Sequence, residues 1–254
     1  MTKKTPKLTA FEKLKEAAAA TIVPTIQPPL AMTVQQSSPN LWQIVLAGTI
    51  DPRQHHPLWY QLIGAITPEE AKDAQTKSPS MSGPNLSLFD VGAFAVISTP
   101  DQWAIQTVTE ANRSRMIDVA ARVLIKLNEI TVRAFGINRQ AAIPVQNLTA
   151  QGLLTSAVSL THWPLPSGQP VGAAIVYSTH SDLYDTHIQI SPADNSLLAM
   201  TFNRSYPIRP PSPPTNLVQY VDVAKLIREN AEPAWNDAAK YVVQLSNYLR
   251  NKGA

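Results

Sequence analysis

The chain contains no cysteine. Disulfide frameworks, thiolate metal sites and cysteine nucleophiles are therefore excluded. Glycine is scarce, with 9 scattered among 254 residues. A phosphate-cradling loop needs glycines gathered ahead of a helix, so the sequence carries no P-loop or dinucleotide-binding fingerprint. Charged residues make up 15%, below the roughly 25% usual for soluble domains, and aromatics 7%. No apolar run approaches the ~20 residues of a membrane-spanning helix. The basic stretch at residues 1–7 is followed by Glu12, Lys13, Lys15 and Glu16 rather than by an apolar segment, which argues against a secretory signal. These absences predict a cytoplasmic protein with no membrane partner.

What the chain does have is proline, 22 residues of it, and a hydrophobic fraction of 44%. Fixed φ at so many joints stiffens the connections, and the length suffices for a substantial core. The net charge of +3 is local. Lys3, Lys4, Lys7, Lys13 and Lys15 face only Glu12 and Glu16 within residues 1–16; removing these from totals of 21 basic and 18 acidic residues leaves 16 of each. A basic nucleic-acid footprint could therefore lie only in the N-terminal arm.

The arm itself reads as a helix. Thr9 and Glu12 form a capping box, and the helix stops before Pro24. Residues 24–40, with Pro24, Pro28, Pro29 and Pro39, follow as an extended strap, which makes 1–40 one unit and 41–254 an α+β body, conceivably two halves at 41–140 and 141–254. Thr67-Pro68-Glu69-Glu70 opens a further helix. Strands are expected at 41–50, 86–98, 102–109 and 130–136, the second and third joined as a hairpin by Thr99-Pro100-Asp101. Met116, Val119, Ala120, Val123, Leu124 and Leu127 recur at helical spacing. Three further strands at 171–178, 184–190 and 196–204 precede a proline cluster and two closing helices, near 216–230 and 233–250. Consecutive strands of this kind predict a mostly antiparallel sheet packed with helices.

The segment from Trp103 to Arg139, with Leu46-Ala-Gly48 and Pro57-Leu-Trp59 upstream, resembles conserved hypothetical bacterial proteins. The resemblance covers residues 41–140. It implies a shared α+β body in which Gly136-Ile137-Asn138 closes a central strand, and it brings no activity or cofactor.

Four sets of residues could carry chemistry. His180, Asp182, Asp185 and His187 could converge at a hairpin end with N/O donors suited to a divalent ion, or could serve turn geometry alone. Asn138 and Arg139 could bind a carboxylate or phosphate; alternatively Gly136 marks a bulge and Asn138 satisfies nearby backbone. Trp163, beside prolines, is either an interface anchor or a packing residue. Phe11 and Leu14 line one face of an arm helix too short to stand alone, and a 17-residue strap reaches about 55 Å. No nucleophile elbow is present, and no cofactor is expected. The sequence is read as a non-enzymatic protein-interaction or assembly subunit of a bacterial or phage complex, a homo-oligomer formed through its arm. The alternatives are an enzyme or ligand- or metal-binding protein whose site assembles only in three dimensions, and weak nucleic-acid binding by the basic arm.

Overall fold

The computed structural model describes residues 40–76, 80–127, 131–145, 174–194, 196–208 and 216–251, with isolated positions between 150 and 154. The chain divides into two units, Met1–Ser37 and Ser38–Ala254. The arm with Phe11 and Leu14, residues 24–39 of the strap, and Trp163 lie outside the described residues.

Among the described residues the second unit is built on one antiparallel sheet of nine strands in the order β2-β3-β4-β5-β1-β6-β9-β8-β7. These are β1 (Asn40–Thr49), β2 (Met81–Ser82), β3 (Ser87–Asp90), β4 (Ala95–Thr99), β5 (Gln102–Thr107), β6 (Thr131–Pro144), β7 (Ile175–His180), β8 (Asp185–Pro192) and β9 (Leu197–Pro207). Four α-helices accompany them among the described residues: α1 (Pro57–Leu62), α2 (Pro68–Thr76), α3 (Arg113–Lys126) and α4 (Asn216–Asn251). The fold is α+β. Because β1 pairs with both β5 and β6, and β6 with β9, a single sheet runs through both halves of the body.

Side-chain alternation assigns the two sheet faces. Trp42, Ile44 and Leu46 of β1, Phe135 and Ile137 of β6, and Leu198, Met200 and Phe202 of β9 are all buried on the helix-covered face. There α3 contributes Met116, Val119, Ala120, Val123 and Leu124, the stripe its spacing predicts. The capping box at Thr67 forms as the sequence requires: Thr67 N donates to Glu70 Oε2 at 2.8 Å, and Glu70 N to Thr67 Oγ1 at 3.2 Å. Glu70 also pairs with Arg115 at 2.6 Å, which ties α2 to α3.

Three expectations need correction. The run 86–98 is two strands, not one, because Asp90-Val91-Gly92 turns the chain: Gly92 sits at φ 81°, its N–H bonded to Asp90 Oδ1. Gly136 neither ends a strand nor forms a bulge; β6 runs on to Pro144 in regular register, and the register shift falls at Ala47/Gly48 of β1. The two closing helices are one 36-residue helix, about 54 Å long, that continues through Pro233. Proline removes one hydrogen bond there, but Val223, Ala224, Ile227, Ala231, Ala234, Trp235 and Ala238 are buried on a single stripe and hold the two halves in line.

Candidate functional site

Register across the sheet aligns residues that lie far apart in sequence. On the face opposite the helices, Gln106, Gln43, Asn138, Asn203, His187 and Ser178 occupy one row crossing β5, β1, β6, β9, β8 and β7. Adjacent strands are about 4.8 Å apart, so the row spans about 24 Å. Its amides bond in sequence. Asn203 Nδ2 donates to Asn138 Oδ1, Asn138 Nδ2 to Gln43 Oε1 at 2.9 Å, and Gln43 Nε2 to Gln106 Oε1 at 3.1 Å. His187 Nδ1 meets Ser178 Oγ at 2.8 Å at the far end. Gln43 is 7% exposed, so its amide depends on these partners.

Asn138 is the middle link, bonded on both sides, and Gln106 is the last. Replacing Asn138 with alanine strands the buried Gln43 oxygen and the Asn203 donor, whereas Gln106→Ala frees only one group. Urea unfolding is expected to place Asn138→Ala about 2 kcal/mol below wild type and Gln106→Ala within about 1 kcal/mol of it. Equal effects would mean the row is not a connected network.

Arg139 is not part of this row. Neighbouring residues of a strand point to opposite faces, so Asn138 and Arg139 do not converge on one ligand. Arg139 lies on the helix side, 5.5 Å over the Trp42 ring, with Nη1 donating to the Trp235 carbonyl at 3.3 Å. Trp235 in turn donates Nε1–H to the Asn138 carbonyl at 2.9 Å. Burial lowers the Arg139 pKa from its ordinary value.

The four residues at the β7–β8 hairpin do not converge: two of them pair with each other and two lie apart. His180 and Asp185 are cross-strand partners joined through His180 Nδ1 and Asp185 Oδ1. His187 sits in the next row with Ser178, and Asp182 is exposed in the turn. Among the described residues, no three His, Asp or Glu side chains stand together as a potential metal site. Ser178, His187 and Asp185 do not form a nucleophilic triad either, since the aspartate is bonded to the other histidine.

The helix-covered face of the same corner holds a charged cleft. Arg204 of β9 is 7% exposed; its Nη1 and Nη2 both reach Asp237 Oδ2 of α4 at 3.2 Å, and its Nε reaches Thr186 Oγ1 at 3.3 Å. The guanidinium lies 4.4 Å from the centre of the Tyr184 ring. Lys240 Nζ holds the other oxygen of Asp237 at 2.9 Å. Lys240 and Arg204 together keep the Asp237 carboxyl below its ordinary pKa, and burial pushes the nearby Tyr206 hydroxyl up to about 12. The cleft measures about 340 Å³ and is lined further by Thr179, Tyr241 and Gln244. A second, more open recess of about 420 Å³ lies along 49–54 beside Pro84 and Pro100.

The adjacent histidines at 55 and 56 have separate structural roles. His56 caps α1 by accepting from Trp59 N. His55 is fully buried, its Nδ1 3.0 Å from the Tyr60 hydroxyl, which accepts from Trp103 Nε1 at 2.8 Å. No protein-family model matches this chain, and comparison with curated proteins gives no match.

Proposed function

We propose that the chain is a non-enzymatic protein-interaction or assembly subunit that associates with further copies of itself. The reading rests on β7. Among the described residues it is the last strand of the sheet, and five of its six residues are exposed, including Val176 at 64% and Tyr177 at 53%. Edge strands usually carry lysine, proline or a bulge that blocks further pairing. The sequence Ile175-Val-Tyr-Ser-Thr-His180 has none of the three. Leu183, 74% exposed, extends the apolar surface into the adjoining turn.

Two copies pair antiparallel at β7 about Tyr177 or Ser178, because those registers set like faces together and keep both α4 helices on one side. The nine-stranded sheet then becomes continuous across the pair. The N-terminal arm supplies a second contact, docking on a neighbouring copy through Phe11 and Leu14 on its proline strap. A cytoplasmic setting in a bacterial or phage complex suits a cysteine-free chain with this resemblance. A ligand-binding role is the second reading, favoured by the Arg204 cleft.

Sedimentation tests the first reading. The full chain is expected to self-associate, residues 39–254 to associate more weakly, and Val176→Lys/Tyr177→Lys to weaken association at least tenfold. The lysines are exposed and are expected to leave unfolding within about 0.5 kcal/mol of wild type. A full chain that stays monomeric at every concentration overturns the assembly reading.

A further inference from the structure

The alternation of β9 places Arg204 where an apolar side chain belongs. Leu198, Met200, Phe202 and Tyr206 share its face and are each 5% exposed or less. Withdrawing a guanidinium from water costs several kcal/mol, so a purely structural pair needs close, complete neutralisation. Arg53, at the surface, shows the close bidentate geometry: its Nε and Nη2 take separate oxygens of Asp51 at 2.9 and 2.8 Å. Arg204 is held differently. Both terminal nitrogens crowd onto one Asp237 oxygen at 3.2 Å, while Lys240 occupies the other.

One carboxylate thus serves two cations, leaving a local charge of one positive unit. The N–H groups of Arg204 are shared among Asp237, Thr186 and the Tyr206 hydroxyl, whereas Lys240 has three N–H groups, of which Asp237 engages one. Arg204 and Lys240 both line the cleft, beside Thr179, Tyr184, Tyr241 and Gln244. Buried Arg, surplus charge, spare donors and a ring of hydroxyls are the requirements of an anion site.

We propose that this cleft binds a carboxylate, held by the Arg204 guanidinium and Lys240 in the position that completes the charge balance. A planar monoanion matches both the fork of the guanidinium and the single unit of surplus charge, whereas a phosphate dianion exceeds it. The lining hydroxyls favour a carboxylate that carries a hydroxyl of its own. Thr179 belongs to both the cleft and β7, so the carboxylate comes either from a free small acid or from the end of a peptide lying along that edge. The site is independent of edge pairing between copies: a monomeric chain would refute the assembly reading and leave this one intact.

The test is titration of the full chain with sodium lactate, followed by NMR at the Arg204 Nε–H and the Gln244 side-chain amide, with sodium chloride matching ionic strength. Lactate is expected to saturate the site, and neutral lactamide to leave both signals unmoved. Lys240→Ala, a change at an exposed side chain, is expected to weaken binding about tenfold by removing one charge-assisted bond. Asp237→Asn is expected to tighten it, because the ligand then meets two uncompensated cations. A structural salt bridge predicts the opposite, lost stability with no gain in affinity. Should Asp237→Asn fail to fold, Lys240→Ala alone decides. A tetrapeptide with a free C-terminal carboxylate binding more tightly than both lactate and its amidated form identifies a peptide source; tighter binding of lactate identifies a small acid. Absence of saturation by both, equal binding of lactamide, or unchanged affinity in Lys240→Ala overturns the proposal.

Discussion

Gly48→Ala is expected to destabilise the protein by about 2–4 kcal/mol, the range for forced overpacking of a close backbone contact. A Cβ at position 48 would stand 2.0 Å from the Thr131 carbonyl oxygen and 2.9 Å from its carbon. Both are backbone atoms of β6, so no side-chain rotation relieves the clash. Gly48 also lies at the register shift between β1 and β6, and its N–H bonds to the Asp101 carbonyl at 3.0 Å, which fixes it from the β4–β5 turn as well. Urea unfolding measures the effect. Gly83→Ala, where the nearest atom is 3.7 Å away, is expected to change stability by less than about 1 kcal/mol. Similar values for the two would show that β6 yields at Thr131.

Acid is expected to unfold the protein through His55. Burial lowers its pKa to about 3 from 6.5, with Asp51 acting in the opposite direction. The Tyr60 hydroxyl accepts from Trp103 and pairs with His55 Nδ1, and burial of the ring makes the neutral form the one the folded state favours. The unfolded chain takes up a proton below its ordinary pKa while the folded chain does not. This contribution is therefore complete above about pH 6.5 and is lost as pH falls from there toward 3, amounting to about 3 kcal/mol at pH 4. His55→Gln does not titrate. The stability difference between wild type and this variant is expected to shift by that amount against wild type from pH 7.5 to pH 4, as measured by denaturant unfolding. A difference that does not vary with pH would mean the ring protonates in place.

Local rules were sufficient where a feature is local. The Thr67/Glu70 capping box and the α3 stripe depend on residues three or four apart, and both form as their spacing requires. The β4–β5 turn at Thr99-Pro100-Asp101 is another such case. The turn at Asp90-Val91-Gly92 also carried a signal, an Asp two residues before Gly within an apolar run, that the hydrophobic pattern obscured. The amide row could not be read in advance. Its bonded neighbours are separated by 63, 95 and 65 positions, and alternation assigns a face without assigning a register. Arg204 was legible in principle: the series Leu198, Met200, Phe202, Arg204, Tyr206 sets a charge in an inward position. The same alternation separates Asn138 from Arg139, which therefore could not share a ligand. Pro233 shows the converse, a local breaker overridden by a buried stripe of alanines and Trp235 on both sides of it.

Hydrogen exchange of the β7 amides, followed as the full chain is concentrated, tests the assembly reading most directly. Pairing of two β7 edges predicts that protection across 175–180 rises with protein concentration while the paired strands β1 and β6 stay constant, and that Val176→Lys/Tyr177→Lys abolishes the rise. Exchange at β7 that is rapid and the same at every concentration would contradict it.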